Sequence, residues 1–265
     1  MREKFHRFCS RHRWAPPVMT LLFIVTMRVI FPDAAGPLFW TLCGLMLLLS
    51  LLGGSSSTLL LQNVAVKVMN EQCDPYPLLE ETDRQLLYVK SRSDRNLLSL
   101  NRCAALMEAG YFDGALTELE RINIDDPTAP LQWRYVYYHN LTLTALSCGQ
   151  EEKAQVYYHK AMQQFDAAND QLKEKMRDHR TSLTAAVHLS HSEYEQAASL
   201  LAPQNPDTLL ARVHRAYSLG RIALAQNNPT IARVHLEYVV NNSGRTYLVP
   251  AARKLLEEMD SIHAE

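Results

Sequence analysis

The apolar residues divide the chain into two parts of different character. Residues 14–61 carry two almost uninterrupted apolar runs, whereas the rest of the chain mixes apolar and polar residues at the spacing of amphipathic helices. The runs extend from Trp14 to Phe31 and from Pro37 to Leu52. At about 1.5 Å per residue they reach roughly 27 and 24 Å, close to the roughly 30 Å hydrocarbon core of a bilayer. With the turn-like residues 32–36 between them, they predict a transmembrane helical hairpin over residues 14–61, with the lipid bilayer as its partner.

Basic residues before the hairpin predict its orientation. Five of them precede the first run, and the turn between the runs has none. They are Arg2, Lys4, Arg7, Arg11 and Arg13. Because basic flanks stay on the cytoplasmic side, residues 1–13 should be cytoplasmic, and the hairpin returns the chain to the same side. We therefore expect an integral protein of a bacterial plasma membrane with a cytoplasmic N-terminus and a cytoplasmic C-terminal domain. An alternative makes the first run a signal peptide and places the domain outside, although Asp33-Ala34-Ala35 is a poor cleavage site.

Residues 62–77 are expected to link the hairpin to the following domain. Their first part is apolar and nearly uncharged, which fits either an extension of the membrane helix or a segment packed on the domain. Pro75 and Pro77 then interrupt any helix, because proline lacks the backbone N–H and restricts the residue before it. We place the helical domain at residues 78–265.

A pattern centred on an alanine recurs four times within this domain. The alanines are Ala115, Ala154, Ala197 and Ala232. Five residues before each stands a turn former: Gly110, Gly149, Ser192 and Asn227. Twelve residues before each stands a small or compact residue: Cys103, Thr142, Ala185 and Gly220. Four residues after each stands a large apolar one: Leu119, Tyr158, Leu201 and Leu236. Small residues let two helices approach, the turn former ends the first helix and the large residue fills the space between them. The pattern therefore predicts four antiparallel helix pairs.

This pattern resembles the tetratricopeptide repeat (TPR). The segment Gly110-Tyr111-Phe112-Asp113-Gly114-Ala115-Leu116 resembles the family's turn and second-helix start, Pro127 stands at its helix-breaking proline, and Leu219-Gly220 resembles its leucine–glycine pair. The alanines are 39, 43 and 35 residues apart, against about 34 residues in the ideal repeat. The expected fold class is therefore all-α: a TPR-like α-solenoid of antiparallel helix pairs, preceded by the transmembrane hairpin. The resemblance implies a module for protein–protein interaction.

Composition and motifs limit the functions that the sequence supports. A formal net charge of −1, without a basic stripe, gives no reason to expect nucleic-acid binding. The five cysteines are scattered, without the spacing of a zinc site or a disulfide framework. The sequence contains no HExxH motif, no phosphate-binding glycine loop and no nucleophile elbow. We therefore expect no enzymatic activity, no cofactor and no bound metal.

The resemblance to TPR proteins also implies where a partner binds. In that family the first helices of successive repeats line a concave groove, and seven polar residues fall on this face by register. They are Asn101, His139, Asn140, His179, His214, Tyr217 and Arg221. Asn101 and Asn140 occupy equivalent places in two repeats, where an amide can donate to a carbonyl and accept from an N–H of a bound chain.

The leading hypothesis is a membrane-tethered adaptor that recruits a peptide or protein partner at the cytoplasmic face of the membrane. Two alternatives remain open. One is a structural or assembly subunit of a membrane complex that acts through self-association as a homo-oligomer. The other is an extracytoplasmic, chaperone-like TPR module.

Overall fold

The computed structural model describes residues 15–30, 36–89, 91–124 and 129–262. These residues form twelve α-helices and no strand, which confirms the predicted all-α class. The helices are α1 (Ala15–Ile30), α2 (Pro37–Gln72), α3 (Tyr76–Leu86), α4 (Arg92–Glu108), α5 (Phe112–Glu120), α6 (Leu131–Ser147), α7 (Glu151–Asp166), α8 (Asp170–Ser190), α9 (Tyr194–Leu201), α10 (Leu209–Ala225), α11 (Pro229–Asn242) and α12 (Leu248–Ile262). The basic residues before the hairpin, residues 31–35 of its turn, and Pro127 lie outside the described residues. The orientation of the hairpin therefore stays a prediction.

The chain divides into two units, residues 1–66 and residues 67–265. The first unit contains α1 and most of α2. Large apolar side chains of α1 are exposed, namely Val18, Met19, Leu21, Leu22, Phe23 and Val25. Within the part of the chain that the structure describes, no helix is both long enough and apolar enough to cross a membrane.

The second unit begins in the last turns of α2. This helix runs through the apolar first part of the predicted linker and ends at Gln72. Cys73 then has a positive φ of 51°, and α3 begins at Tyr76 with Pro77 in its first turn. The predicted break at the two prolines is therefore present. Met69, in the last turn of α2, is buried and lines a cavity among the later helices, so the end of α2 packs on the helical domain.

Each of the four predicted turn formers ends the first helix of a pair. They are Gly110, Gly149, Ser192 and Asn227, with φ angles of 84°, 69°, 62° and 55°. In each copy two backbone bonds close the turn: in the first, the N–H of Gly110 donates to Met107 and the N–H of Tyr111 donates to Leu106. This pair of bonds is the Schellman motif, which satisfies the last carbonyls of a helix. The predicted turns are confirmed in all four copies.

The four alanines lie where the two helices of each pair meet. Their exposed fractions are 0% for Ala115, 1% for Ala154 and 0% for Ala197 and Ala232. In the first pair, the Sγ of Cys103 lies 3.7 Å from the carbonyl oxygen of Ala115. In the fourth pair, a Cβ added to Gly220 would lie 3.0 Å from the side chain of Leu236. The small residue of the first helix and the apolar residues of the second therefore meet as the pattern predicts.

In the core of the second unit, three clusters of buried residues are each shared by three consecutive helices. One cluster joins α4, α5 and α6 around Leu119, the next joins α6, α7 and α8 around Phe165, and a third joins α8, α9 and α10 around Leu201. Elements that pack on their neighbours in sequence are the basis of helical repeats. The packing is therefore compatible with a helical-repeat array.

The wide spacing between the second and third alanines reflects two long helices, α7 and α8. Helix α7 ends at Asp166. Asn169 is the N-cap of the next helix, because its side-chain oxygen accepts the N–H of Leu172 at 2.9 Å. The helix that follows, α8, has 21 residues, compared with 17 in α4, α6 and α10. The second helix of the preceding pair, α7, is also long, with 16 residues compared with 9 in α5 and 8 in α9.

The last helices of the second unit contact its first helix pair. The N–H of Tyr247, between α11 and α12, donates to the carbonyl of Glu108 at 2.9 Å. The Tyr247 ring meets Phe112 edge-on, with 5.0 Å between ring centroids. The N–H of Arg245 donates to the carbonyl of Cys73, also at 2.9 Å. In an open solenoid each repeat contacts only its neighbours. These contacts instead join the two ends of the array.

Candidate functional site

A cavity of about 370 Å³ lies on the inner side of the helix array. Its wall is formed by α4, α6, α8 and α10, the first helices of the four pairs, together with the end of α2 and part of α9. Apolar side chains such as Leu100, Val136 and Leu183 provide most of its surface. We call this space the central cavity. Its size falls at the lower end of the roughly 300–1,000 Å³ typical of ligand pockets.

Five of the seven residues predicted for the groove line the central cavity. They are Asn101, His139, Asn140, His179 and His214. The other two, Tyr217 and Arg221, do not line it. Burial raises the pKa of Tyr217, while Arg221 lowers it and Glu258 of α12 raises it further. Both residues therefore belong to the side of α10 that approaches α12, although the helical register alone placed them on the inner face.

Aromatic rings from two helices form one wall of the central cavity. The ring of His139 lies 5.9 Å from that of Tyr135 on the same helix and 5.9 Å from that of His179 on α8. Burial, reinforced by the neighbouring His179, lowers the pKa of His139 to about 4. Burial also lowers the pKa of His179. Both shifts favour the neutral imidazole at pH 7, so the wall is aromatic and uncharged, with the His139 ring inclined by 45° to Tyr135 and by 88° to His179.

Two polar groups on this wall have no hydrogen-bond partner among the described residues. They are the side-chain Nδ2 of Asn140 and the hydroxyl of Tyr135. The residues are 6% and 1% exposed, and both line the cavity. The amide oxygen of Asn140 is engaged, because it lies 3.3 Å from the Nδ1 of His139. Each of these two atoms has less than 1 Å² of accessible surface, so both are buried within the wall, behind the surface of the cavity.

A hydrogen-bonded His–Glu pair links the first helix pair to the fourth at the edge of the central cavity. The Nε2 of His214 lies 2.9 Å from both carboxylate oxygens of Glu108. Burial alone would lower the pKa of His214, but the charge and the hydrogen bond of Glu108 outweigh it, and the pKa is raised. The pair links residues that are 106 positions apart in sequence. It also gives both oxygens of this carboxylate a hydrogen-bond partner.

Arg215 is the second charged residue on the described lining of the cavity. Its guanidinium donates to the carbonyl of Leu201 at 2.7 Å and to that of Ala202 at 2.8 Å. These carbonyls belong to the C-terminal end of α9, where the helix dipole favours a positive charge. The guanidinium of Arg215 is therefore fixed in position by the end of α9.

Sequence reasoning missed Glu108, Tyr135 and Arg215 as cavity residues. Tyr135 stands four positions before His139, so its helical spacing was a usable signal for a shared face with that residue. Glu108 carried no local signal, because its partner lies in the fourth helix pair. Arg215 follows His214 directly but reaches the cavity through its bonds to α9.

The described residues contain no group of three His, Cys, Asp or Glu side chains placed to hold a metal ion.

Comparison with protein-family models found none that matches the chain, and neither curated proteins nor solved structures gave a significant match.

Proposed function

We propose that the second unit is a TPR-like binding domain that receives a short segment of a protein partner in the central cavity. The observation that carries this proposal is the central cavity itself, where the first helices of the pairs place the amides of Asn101 and Asn140 among the lining residues. An amide in that position can donate to a backbone carbonyl of a bound chain. The recurrence of the turn and alanine pattern supports the TPR-like assignment.

The second part of the proposal is that residues 14–61 tether this domain to the cytoplasmic face of a membrane. Support comes from the apolar side chains that α1 and α2 leave exposed, including Phe23, Trp40 and Leu45 at 53%, 53% and 51%. Contiguous exposed apolar surface is typical of protein or membrane contacts. The basic N-terminus supports the cytoplasmic orientation. The protein is then an adaptor that brings its partner to the bilayer.

Photo-crosslinking in native membranes tests the binding part of the proposal. A photoreactive amino acid replaces Ser218, which lines the central cavity, and the crosslinked polypeptides are identified. We expect capture of a defined partner that is lost when Asn140→Leu is added, because leucine keeps the volume of this lining side chain but removes its polar amide. The same photoreactive residue at the exposed Lys254 of α12 is the positional control.

Arg221→Ala is the matched control variant for this experiment. It lies on the same helix as His214 but outside the cavity and is exposed. Capture at Ser218 should persist in this variant. If Asn140→Leu left capture unchanged, or if the Ser218 and Lys254 positions captured the same proteins, the cavity would not be the binding site.

Thiol labelling tests the tether and its orientation. Cys148 is partly exposed, whereas Cys73 and Cys103 are fully buried. Burial and the nearby Asp113 raise the pKa of Cys148, so labelling is run at mildly alkaline pH. A membrane-impermeant maleimide should reach Cys148 only after cells are opened, with a Cys148→Ser chain as the blank. Labelling of intact cells would place the domain outside, and release of the chain by alkaline carbonate would contradict the anchor.

Self-association is the second candidate function, favoured by an apolar stripe on α11. Ile231, Val234 and Tyr238 share one face of this helix and are 49%, 63% and 37% exposed. Sedimentation of the full-length chain in detergent tests this alternative. A mass that rises with concentration and returns to the monomer in Val234→Glu would support it, and a monomer at all concentrations would exclude it.

A further inference from the structure

We infer that the His214–Glu108 pair is a protonation-sensitive latch, which holds the fourth helix pair against the first while His214 carries a proton and loosens that contact when the proton leaves. Both residues line the central cavity, so the latch controls access to this space. Its role in partner binding rests on the proposed function, whereas the latch itself is a property of the helix array.

The pair joins two helices that are distant in sequence. The Nε2 of His214, on α10, lies 2.9 Å from both carboxylate oxygens of Glu108, the last residue of α4. The side chain of His214 is 37% exposed, and that of Glu108 is 15% exposed. The imidazole can therefore exchange its proton with water, while the carboxylate is mostly covered by protein.

Protonation changes the strength of this hydrogen bond. The imidazolium always donates from Nε2, whereas a neutral imidazole donates from Nε2 in only one of its two tautomers. A charge-assisted hydrogen bond is also about twice as strong as a neutral one. The contact between the first and fourth helix pairs is therefore stronger when His214 is charged.

The direction of the pH response follows from the environment of His214. Burial lowers its pKa, but the charge and the hydrogen bond of Glu108 outweigh burial, so the pKa is raised. When the contact opens, the imidazole loses this partner and returns to its usual pKa of about 6.5. The stabilisation of the closed contact is therefore complete below about pH 6.5 and is lost as the pH rises through the raised pKa.

The neighbours of the pair respond in other pH ranges. Near neutral pH, the thiol and phenols with raised pKa values stay neutral, and the imidazoles with lowered pKa values have already lost their protons. These groups are Cys73, Tyr217, Tyr247, His139, His179 and His235. The charged side chains around them are Arg212, Arg215, Arg221 and Glu258. A response between about pH 6.5 and 8.5 at this contact therefore reports the proton of His214.

The latch acts on a contact that can open without unfolding a helix. The N–H of Tyr247 donates to the carbonyl of Glu108 at 2.9 Å, and the Tyr247 ring meets Phe112 edge-on. The three core clusters, in contrast, each join consecutive helices, and none of the three holds residues of both the first and the fourth pair. Regions with fewer buried apolar contacts open locally at lower cost than global unfolding.

Opening of this contact changes the central cavity. Glu108 from the first pair and His214 from the fourth both belong to its lining, as do Met69 and Asn70 at the end of α2. When the two pairs separate, the cavity becomes wider at this edge. We therefore expect a partner segment to enter more easily above the raised pKa of His214 than below it.

Hydrogen exchange of the full-length chain in detergent, followed by mass spectrometry, measures the opening. Peptides that cover residues 244–250 report the contact through the N–H of Tyr247. Peptides that cover residues 148–154 report the turn of the second helix pair, as the control. Each rate is divided by the intrinsic exchange rate at the same pH. From about pH 6 to about pH 8.5, protection of residues 244–250 should fall about fivefold and that of residues 148–154 should stay constant.

Two variants of the pair and one matched control separate the latch from ordinary packing. Glu108→Gln and His214→Gln should each lower the protection of residues 244–250 and remove its dependence on pH, because no charge-assisted bond forms. Asp74→Asn is the control, since it breaks the 3.4 Å pair between Asp74 and Arg245 in the same contact without involving His214. It should lower protection at every pH and keep the fall with rising pH.

The comparison of pH values on the unaltered chain stands even if a variant of the pair fails to fold. Constant protection of residues 244–250 across this range would overturn the inference. A fall in protection that a folded His214→Gln chain retains would overturn it as well, because another group would then be the sensor.

The exchange and crosslinking experiments fail independently, since exchange needs no partner. If protection is constant while capture at Ser218 still depends on Asn140, the latch is wrong and the proposed function stands. If protection falls as expected but no captured partner depends on Asn140, the latch stands and the adaptor function is wrong.

Discussion

Two glycines with positive φ, Gly149 and Gly244, provide a matched test of the contact that joins the ends of the array. Their φ angles are 69° and 53°, so a Cβ is strained at both. A Cβ at Gly149 would meet nothing within 4 Å. A Cβ at Gly244 would overlap the carbonyl oxygen of Gln72 and lie 2.8 Å from that of Cys73. The two alanine substitutions therefore share the backbone strain and differ in the clash.

The expected losses in free energy of unfolding follow from these two environments. Alanine in the left-handed region costs about 1–2 kcal/mol, partly offset by about 0.4–1 kcal/mol from the stiffer unfolded chain, so Gly149→Ala should cost about 1 kcal/mol. At Gly244 the obstacles are backbone atoms that cannot rotate away. Overpacking of about 1–3 kcal/mol and loss of the Arg245 to Cys73 hydrogen bond bring Gly244→Ala to about 3 kcal/mol.

Thermal unfolding of the full-length chain, followed by circular dichroism at 222 nm, measures the difference. For a domain of this size, the expected losses in Tm are about 3 °C for Gly149→Ala and about 9 °C for Gly244→Ala. Urea titration of the same variants gives the free energies directly. If Gly244→Ala were no less stable than Gly149→Ala, residue 244 would not rest on residues 72 and 73 in solution, and the closed arrangement would be refuted.

Three further predictions concern single side chains. Burial lowers the pKa of His139 to about 4 in the folded state, compared with a usual value of 6.5. Between these two pH values the imidazole is neutral in the folded state and protonated in the unfolded state. Its contribution to stability is therefore full above pH 6.5 and is lost as the pH falls towards 4, by at most about 3 kcal/mol. His139→Gln should flatten that part of the urea-stability profile, and an unchanged slope would contradict the buried neutral imidazole. Glu108→Gln should lower the pKa of His214 as measured by NMR, since burial then acts without the carboxylate, and an unmoved titration would mean that the pair is not formed. Ser192→Gly should stabilise the chain by about 0.5–1 kcal/mol in the same urea assay, because φ at this position is 62°, whereas a loss of stability would contradict the left-handed turn.

The helix pairs were predictable because their signals are local. A turn former, a small residue seven positions before it and an alanine five positions after it belong to one helical hairpin, and their chemistry acts within that hairpin. The structure accordingly places Gly110 and Ala115 as expected. Five groove residues also reached the central cavity, because the inner face of a first helix follows from the same register.

The contacts that close the second unit were not predictable from local patterns. Glu108 meets His214 and Tyr247 across more than a hundred residues of chain, and no spacing rule connects them. The same limit explains why Tyr217 and Arg221, which were predicted for the groove, do not line the central cavity. Helical register places them on the inner face of α10, but the position of α12 decides which part of that face borders the cavity.

The contact between Tyr247 and Glu108 has a consequence for how the domain folds. A linear repeat array can nucleate in any repeat and grow outward, and its end repeats fray first. Here the final bond of the array joins positions 108 and 247, so a long loop must close before the last contacts form. Loops of that length slow folding far more than they reduce stability. We expect the domain to fold slowly for an all-helical protein, to unfold as one unit without fraying from its C-terminus, and to tolerate neither the loss nor the duplication of a helix pair.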